Sequence, residues 1–560
     1  MKKRNAWIVG SVAALIALGG GAWYYGYIDG KSKAPRYGRY DPPPPSAKVE
    51  FPQGEAPCPN ERPEWRKEQE IEGVKIDESP VCSPDNPYQI AAFVKGTNNV
   101  DHMTLMEAEL SGDAVILDND RDGDGDPDDV QIKLEVSELN GKSPDAPFPT
   151  PQYAIAPGIQ PSIWTFVPKM HGMATKDIES MEANSLLRAP SPTIRVEQGD
   201  RVFITLENTH YMPHTIHLHG IDHPYVNEKG GPNDGAEHVS EHGVMPGEAR
   251  TYSFQARQTG SFLYHCHVQP QIHFSMGLVG MIVVEENRPN NSVQTLNVGA
   301  GKVRHPSVAV KEKYDQEYDM VWQDINKDLH SIPQTMGDPR LVARAMRFHN
   351  VTTSPSNYFL LNGRSYPYTL RESLITPKPD QKIKLRLLNA GTEPIAVHTH
   401  GHKVDITHLD GIEVQESARV KHDVVSISPA QRVDVEMNTT NDGTHNYGEG
   451  LWMLHDHTEK TFGNDGFHPG GGLTLIAYPS YLGTNGMPKV NADLSTHFTK
   501  EIYQKKIPNF ADMPGAEVLN DPEAVPAPIV RNTLLAFLGG LLLGGIFLGL
   551  RRLFRREEAA

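Results

Sequence analysis

The chain has 560 residues, enough for two or three domains with well-buried cores. Its 53 Lys and Arg stand against 70 Asp and Glu, a formal charge of −17. That balance argues against nucleic acid as a partner, because phosphate binding needs clustered cations. An acidic, exported body fits better.

Residues 1–30 read as a membrane anchor or signal. Lys2, Lys3 and Arg4 precede an uncharged run from Asn5 to Ile28, with Trp7 at one end and Trp23, Tyr24, Tyr25 and Tyr27 at the other. This is a positive flank with an aromatic belt at each interface. A cleaved signal peptide is the competing reading, since Gly20 and Ala22 are small enough for a cleavage site.

Residues 31–150 read as a Pro-rich spacer and extension, stiffened by Pro42 to Pro45. Of three cysteines, Cys58 and Cys82 suit a disulfide in an oxidising compartment, which leaves Cys266 unpaired. An acidic loop places Asp118, Asp120, Asp122, Asp124, Asp126 and Asp129 at positions 1, 3, 5, 7, 9 and 12, with Gly123 at 6. That is calcium-loop spacing, with Asp where Glu is usual at 12. It also resembles the loops of thrombospondin type 3 repeats. A structural calcium is expected, the alternative being a solvated acidic loop. A strand-like run follows from Asp129 to Val136.

From 151 to 290, short alternating runs such as Thr193 to Val196, Arg201 to Leu206, Thr251 to Phe254 and Leu278 to Val284 are punctuated by Gly, Pro, Asn and Asp. This is the signature of an antiparallel β-sandwich. It returns from 300 to 482 in Tyr318 to Trp322, Lys382 to Leu388, Val433 to Glu436 and Leu473 to Ala477. Chemistry repeats as well: His217-Leu218-His219-Gly220 and His265-Cys266-His267 recur as His398-Thr399-His400-Gly401 and His455-Asp456-His457. Such repetition means two copies of one fold.

Residues 483–530 read as a linker, and 533–550 as a C-terminal transmembrane helix followed by Arg551, Arg552, Arg555 and Arg556. The positive-inside rule then puts both termini in the cytoplasm and the body outside it, periplasmic or at the cell surface.

In a strand, residues i and i+2 share a face, so each His-x-His pair presents two imidazoles on one side. Cys266 lies between His265 and His267 and points the opposite way, into the sandwich. His214 precedes His217 by an odd offset and also points inward. Parity therefore predicts two sites, one inside the first domain and one at its edge. A thiolate with two histidines and a weak Met is the electron-transfer copper pattern, and His273 and Met276 complete it after Cys266.

With these residues the chain resembles the multicopper oxidases, more narrowly the two-domain, laccase-like members with one type 1 copper in domain 1. The likeness extends through Asn233-Asp234-Gly235, Pro246-Gly247-Glu248, Tyr252-Ser253-Phe254 and Gly260 to His267, and in domain 2 through Asn362-Gly363 and Pro429 to Asp434. It implies an all-β fold of two cupredoxin-like Greek-key sandwiches, flanked here by the terminal helices. It further implies a type 1 copper on His214, Cys266, His273 and Met276, a type 2 copper on His217 and His398, and a type 3 pair on His219, His265, His267, His400, His455 and His457. The corresponding inward positions of domain 2, Ile395 and Asp456, cannot make a second type 1 site, so four coppers per chain are expected. In close relatives the second type 1 histidine usually lies five residues after the Cys, a position held here by Gln271; His273 is the favoured ligand.

The activity implied is one-electron oxidation of a reductant coupled to four-electron reduction of O2 to water, with Asp234 as a proton relay. A copper nitrite reductase or a copper-binding electron-transfer protein is the alternative. Partners expected are O2, an electron donor, the membrane and two further copies in a homotrimer. Phenols, metal ions and a protein donor all stay open as the reductant.

Overall fold

The computed structural model describes residues 111–490 with breaks, chiefly at 142–152 and 170–186, and four short strands upstream. Of these four, β1 (Trp65–Arg66) pairs with β4 (Ser79–Pro80), and β2 (Gln69–Ile71) with β3 (Val74–Ile76). The expected N-terminal anchor, the Pro-rich spacer, Cys58, Cys82, most of the linker and the C-terminal span lie outside the described residues. Among the described residues no helix is long and apolar enough to cross a membrane.

The first sandwich packs two sheets over one core. One sheet runs in the order β11 (Ala249–Gln255), β9 (Arg201–Glu207), β6 (Asp129–Leu139) and β5 (Val115–Asp118), with β7 (Ile163–Pro168) also paired to β6. The other runs β10 (His217–His219), β12 (Gly260–His265), β13 (Val279–Glu285), β8 (Thr193–Glu197) and β14 (Leu296–Asn297). Alternation decides the faces: Val202, Ile204 and Leu206 of β9 are buried while their neighbours Arg201, Phe203 and Thr205 are half-buried on the other side. Pairing also moves the start of this sandwich. Strand β6 runs parallel to β9, from Asp129 opposite Arg201 to Leu134 opposite Leu206, and buries Val130, Ile132, Leu134 and Val136 in the core. Residues 115–139, expected to belong to an extension ending at 150, are thus part of the first sheet.

The second sandwich repeats the plan. One sheet has the order β15 (Gly301–Lys302), β16 (Gln316–Ile325), β18 (Lys382–Asn389), β24 (Arg432–Asn438), β20 (Val404–Leu409) and β21 (Ile412–Glu413), with β17 (Tyr358–Leu361) and β22 (Lys421–His422) alongside. The other has β23 (Val424–Ile427), β19 (Ile395–Thr399), β25 (Leu451–Asp456) and β26 (Thr474–Ala477).

Among the described residues the α-helices are few and short: α1 (Pro270–His273), α2 (Lys327–His330), α3 (Ile332–Thr335) and α4 (Pro339–Arg347). Side chains of Asn326 and Asp338 cap α2 and α4 by accepting from Asp328 N and Arg340 N. This insertion leaves the second sandwich after β16 and places Leu329, Ile332, Val342 and Met346 on the core of the first.

A buried charge network ties the sandwiches together. Arg195 on β8 reaches Asp319 on β16 at 2.7 Å and Glu285 at 3.4 Å. Arg386 on β18 meets Glu317, Asp434 at 2.9 Å and Glu285 at 3.3 Å. Close backbone approach adds to it: a Cβ at Gly260 would lie 2.7 Å from the Gly411 carbonyl oxygen. These contacts join the two sandwiches within the chain.

Candidate metal centre

The inward site forms where β12 runs out into α1. Cys266 Sγ lies 3.6 Å from His214 Nδ1 and 3.4 Å from His273 Nδ1, and all three side chains are fully buried. A cation bonded at about 2.0 Å to nitrogen and about 2.3 Å to sulfur, near the tetrahedral angle, separates those atoms by about 3.5 Å. The spacing therefore fits a metal ion as well as it fits weak N–H···S contacts. One helical turn explains the offset between Cys266 and His273: Pro270 opens α1, which brings His273 back toward the sulfur, while Gln271 on the same turn is exposed. Met276 is buried in the same core, its backbone carbonyl accepting from Trp164 N. Burial pushes the Cys266 thiol up to about 12 and His273 down to about 3, and it holds His214 well below its ordinary value. A thiolate beside two neutral imidazoles has a physical reason to exist here only against a bound cation.

At the edge, His217 of β10 sits opposite His265 of β12. His217 Nδ1 faces the Asp234 carbonyl oxygen at 2.6 Å, and His265 Nδ1 faces that of Cys266 at 2.8 Å. A carbonyl accepts only, so both rings carry their proton on Nδ1 and leave Nε2 bare. His265 Nε2 then meets His219 Nε2 at 3.1 Å. His267 completes the cluster, its ring 5.6 Å from that of His265 and 5.2 Å from that of His217.

The second sandwich repeats this geometry. His398 of β19 sits opposite His455 of β25, and their Nδ1 atoms face the carbonyl oxygens of Asp423 and Asp456 at 2.8 and 3.0 Å. His455 Nε2 meets His400 Nε2 at 3.2 Å, with the His457 ring 5.3 Å from that of His455. In place of an inward thiol, Asp456 accepts from Ala396 N and Thr458 N at 2.8 and 3.0 Å, and Ile395 is buried, so no counterpart of the Cys266 cluster forms. Among the described residues no hydrogen bond or ring contact joins the two histidine sets. Each chain presents two separate histidine clusters.

Asp234 Oδ1 stands 3.6 Å from His217 Nδ1 and 3.9 Å from Nε2 of His223, a histidine that had no role in the sequence motifs. Of the other histidines, His402 is buried and meets the Tyr478 hydroxyl at 2.8 Å, a packing role.

In the acidic loop the structure departs from the expected register. Asp129 is taken by Arg201, at 2.8 and 2.7 Å, and by Asn119. Asp118 is exposed. Asp120, Asp122 and Asp128 instead bring carboxylate oxygens within 4.8 Å of one another. The turn rotates the last acidic position one residue earlier because Asp129 begins β6 and faces β9.

A β-sandwich pair with an inward cluster of one cysteine and two histidines, and with matched edge histidines, is the architecture of copper oxidoreductases. Multicopper oxidase family models match residues 180–289 and 338–460. The chain is 27% identical over 263 residues to an iron transport multicopper oxidase, FET3, of Gibberella zeae, covering 46% of this chain and 35% of that one. It is 24% identical over 299 residues to a laccase of Cryphonectria parasitica, covering 53% of this chain and 42% of that one. The chain thus spans well under two thirds of these curated relatives. Among solved structures, a blue copper oxidase from Nitrosomonas europaea aligns with TM-score 0.46 and 24% identity over 66% of this chain and 93% of that one.

Proposed function

We propose that this protein is a two-domain multicopper oxidase that draws single electrons from a reductant and reduces O2 to water. The observation that carries this reading is the matched pair of imidazoles facing Nε2 to Nε2 in both clusters, His219 with His265 and His400 with His455, where the carbonyl contacts of His265 and His455 leave their Nε2 bare. A bare Nε2 so close to a second imidazole nitrogen is a donor pair that one cation can share.

Copper held by His214, Cys266, His273 and Met276 would supply one-electron transfer, and three coppers held by the eight edge histidines would supply O2 reduction. The chain's own contribution is the connection. Cys266 is bonded through the backbone to His265 and His267, so electrons pass from the buried set to the edge set with no moving part. Asp234, partly exposed and 3.6 Å from His217, would pass protons inward. Because the two clusters do not meet within one chain, three chains closing head to tail would join domain 1 of one to domain 2 of the next. The fuller reading includes anchoring of this body outside the cytoplasm by the terminal segments, and a structural calcium on Asp120, Asp122 and Asp128. Asp200 supports the calcium: it is buried beside this loop and its Oδ1 has no hydrogen-bond partner.

Metal counting with O2 uptake tests the whole. Four coppers per chain, an EPR-silent pair and O2 consumption with a one-electron donor are expected. Two coppers with no silent pair and turnover of nitrite would replace this reading with the nitrite reductase.

A further inference from the structure

Glu138, on β6, is 3% exposed, and its neighbours reach the inward cluster. Its Oε2 accepts from Trp164 Nε1–H at 2.9 Å and from the Tyr211 hydroxyl at 2.5 Å. The same oxygen stands 3.8 Å from Nε2 of buried His210, whose Nδ1 is 2.8 Å from His214 Nε2. Glu138 Oε1 and His210 Nε2 are both buried with no hydrogen-bond partner. Trp164 stands edge-on to all three imidazoles, its centroid 4.8 Å from His210, 5.9 Å from His214 and 5.1 Å from His273.

The protons in this chain can run in only one favourable direction. His214 turns Nδ1 to the Cys266 sulfur, and to offer a lone pair there it must carry its proton on Nε2. That N–H donates to His210 Nδ1, which is therefore bare, so His210 carries its proton on Nε2, facing the Glu138 carboxylate. The opposite order sets a bare His210 Nε2 against a carboxylate oxygen in a buried space, lone pair to lone pair. It also puts N–H instead of a lone pair at the sulfur.

We infer that Glu138 and His210 are positioning residues that lock His214 in the Nδ1-bare tautomer and strengthen it as a metal donor. The inference rests on the copper reading above. A carboxylate behind a ligating imidazole raises its basicity and fixes its ring. It also favours the more highly charged state of a bound ion, so it lowers the reduction potential of the Cys266 site. Trp164 and Tyr211 hold the carboxylate in place and keep water from it.

Nitrogen-15 NMR of the metal-free full chain, labelled at histidine, tests the tautomers directly. His210 and His214 are both expected to be protonated at Nε2, and an Nδ1 proton on either overturns the inference. In the copper-loaded protein, Glu138→Gln should weaken copper at the Cys266 site about 10- to 100-fold and raise its potential while the thiolate-to-copper colour persists. His210→Asn should do the same, and Trp164→Phe, which leaves the carboxylate and both imidazoles, should not change the tautomers. An unchanged potential in folded Glu138→Gln and His210→Asn overturns the inference, and if neither variant folds, the wild-type NMR result decides. A wild-type chain that takes up no copper at Cys266 overturns the copper reading instead, and the metal-free measurement tells the two failures apart.

Discussion

His219 Nε2 and His265 Nε2 lie 3.1 Å apart on adjacent strands β10 and β12, while no histidine of the second sandwich contacts either among the described residues. If two such half-sites complete each other between chains, damage to one half in one chain should be rescued by another chain. Co-expressed His217→Ala and His398→Ala chains are expected to recover part of the oxidase activity that each lacks alone. No recovery in isolated mixed oligomers would place each complete site within a single chain.

The position of His273 against Cys266 leads to a second test. His273→Ala should bleach the thiolate-to-copper absorption, and Gln271→Ala, an exposed change on the same helical turn, should leave it largely intact. The opposite pattern would reassign the ligand.

Acid should destabilise the metal-free protein in a defined window. Burial lowers His265 and His273 to about 3, so both are neutral in the fold and protonate near 6.5 in the unfolded chain. The unfolded state therefore binds more protons between those values, and stability falls as pH drops from about 6.5 toward 3, by up to about 1.4 kcal/mol per pH unit for each group. Denaturant midpoints of the chelator-treated protein should follow this slope, and His273→Gln should flatten it.

The acidic loop separates two kinds of carboxylate. Calcium at a hundredfold excess over its Kd should stabilise the fold by about 2.7 kcal/mol, seen as a rise in Tm that a chelator reverses. Asp128→Asn should remove most of that response. Asp129→Asn should lower Tm through loss of the Arg201 pair while calcium still raises it.

Between the sandwiches, Arg195→Met leaves Asp319 without its cation in a buried space and removes one of the two arginines that meet Glu317 and Glu285. The expected cost is about 3–5 kcal/mol, measurable by urea unfolding. A loss below about 1 kcal/mol, the range of a surface pair, would mean the network is solvated in solution.

The clustered histidines and Cys266 were legible because they obey local rules. Alternation along a strand is enough to put His217 and His219 on one side, to turn Cys266 away from His265 and His267, and to mark the same motif in the second repeat. Those constraints act over two or three residues and need no partner. The type of fold followed for the same reason, from short alternating runs separated by turn residues.

What the sequence could not reveal depends on residues distant along the chain. Strand β6 belongs to the first sandwich only because it finds β9, some 70 residues later, and with β7 alongside it carries Glu138 to the cluster around Cys266. His210 was an unremarked histidine until the fold set it between His214 and Glu138, and Asp129 was an apparent calcium ligand until β9 presented Arg201. The sequence by itself determined which side chains share a face and cluster, through backbone periodicity; the tertiary structure alone decided what stands behind them, because burial and charge pairing depend on which strands become neighbours.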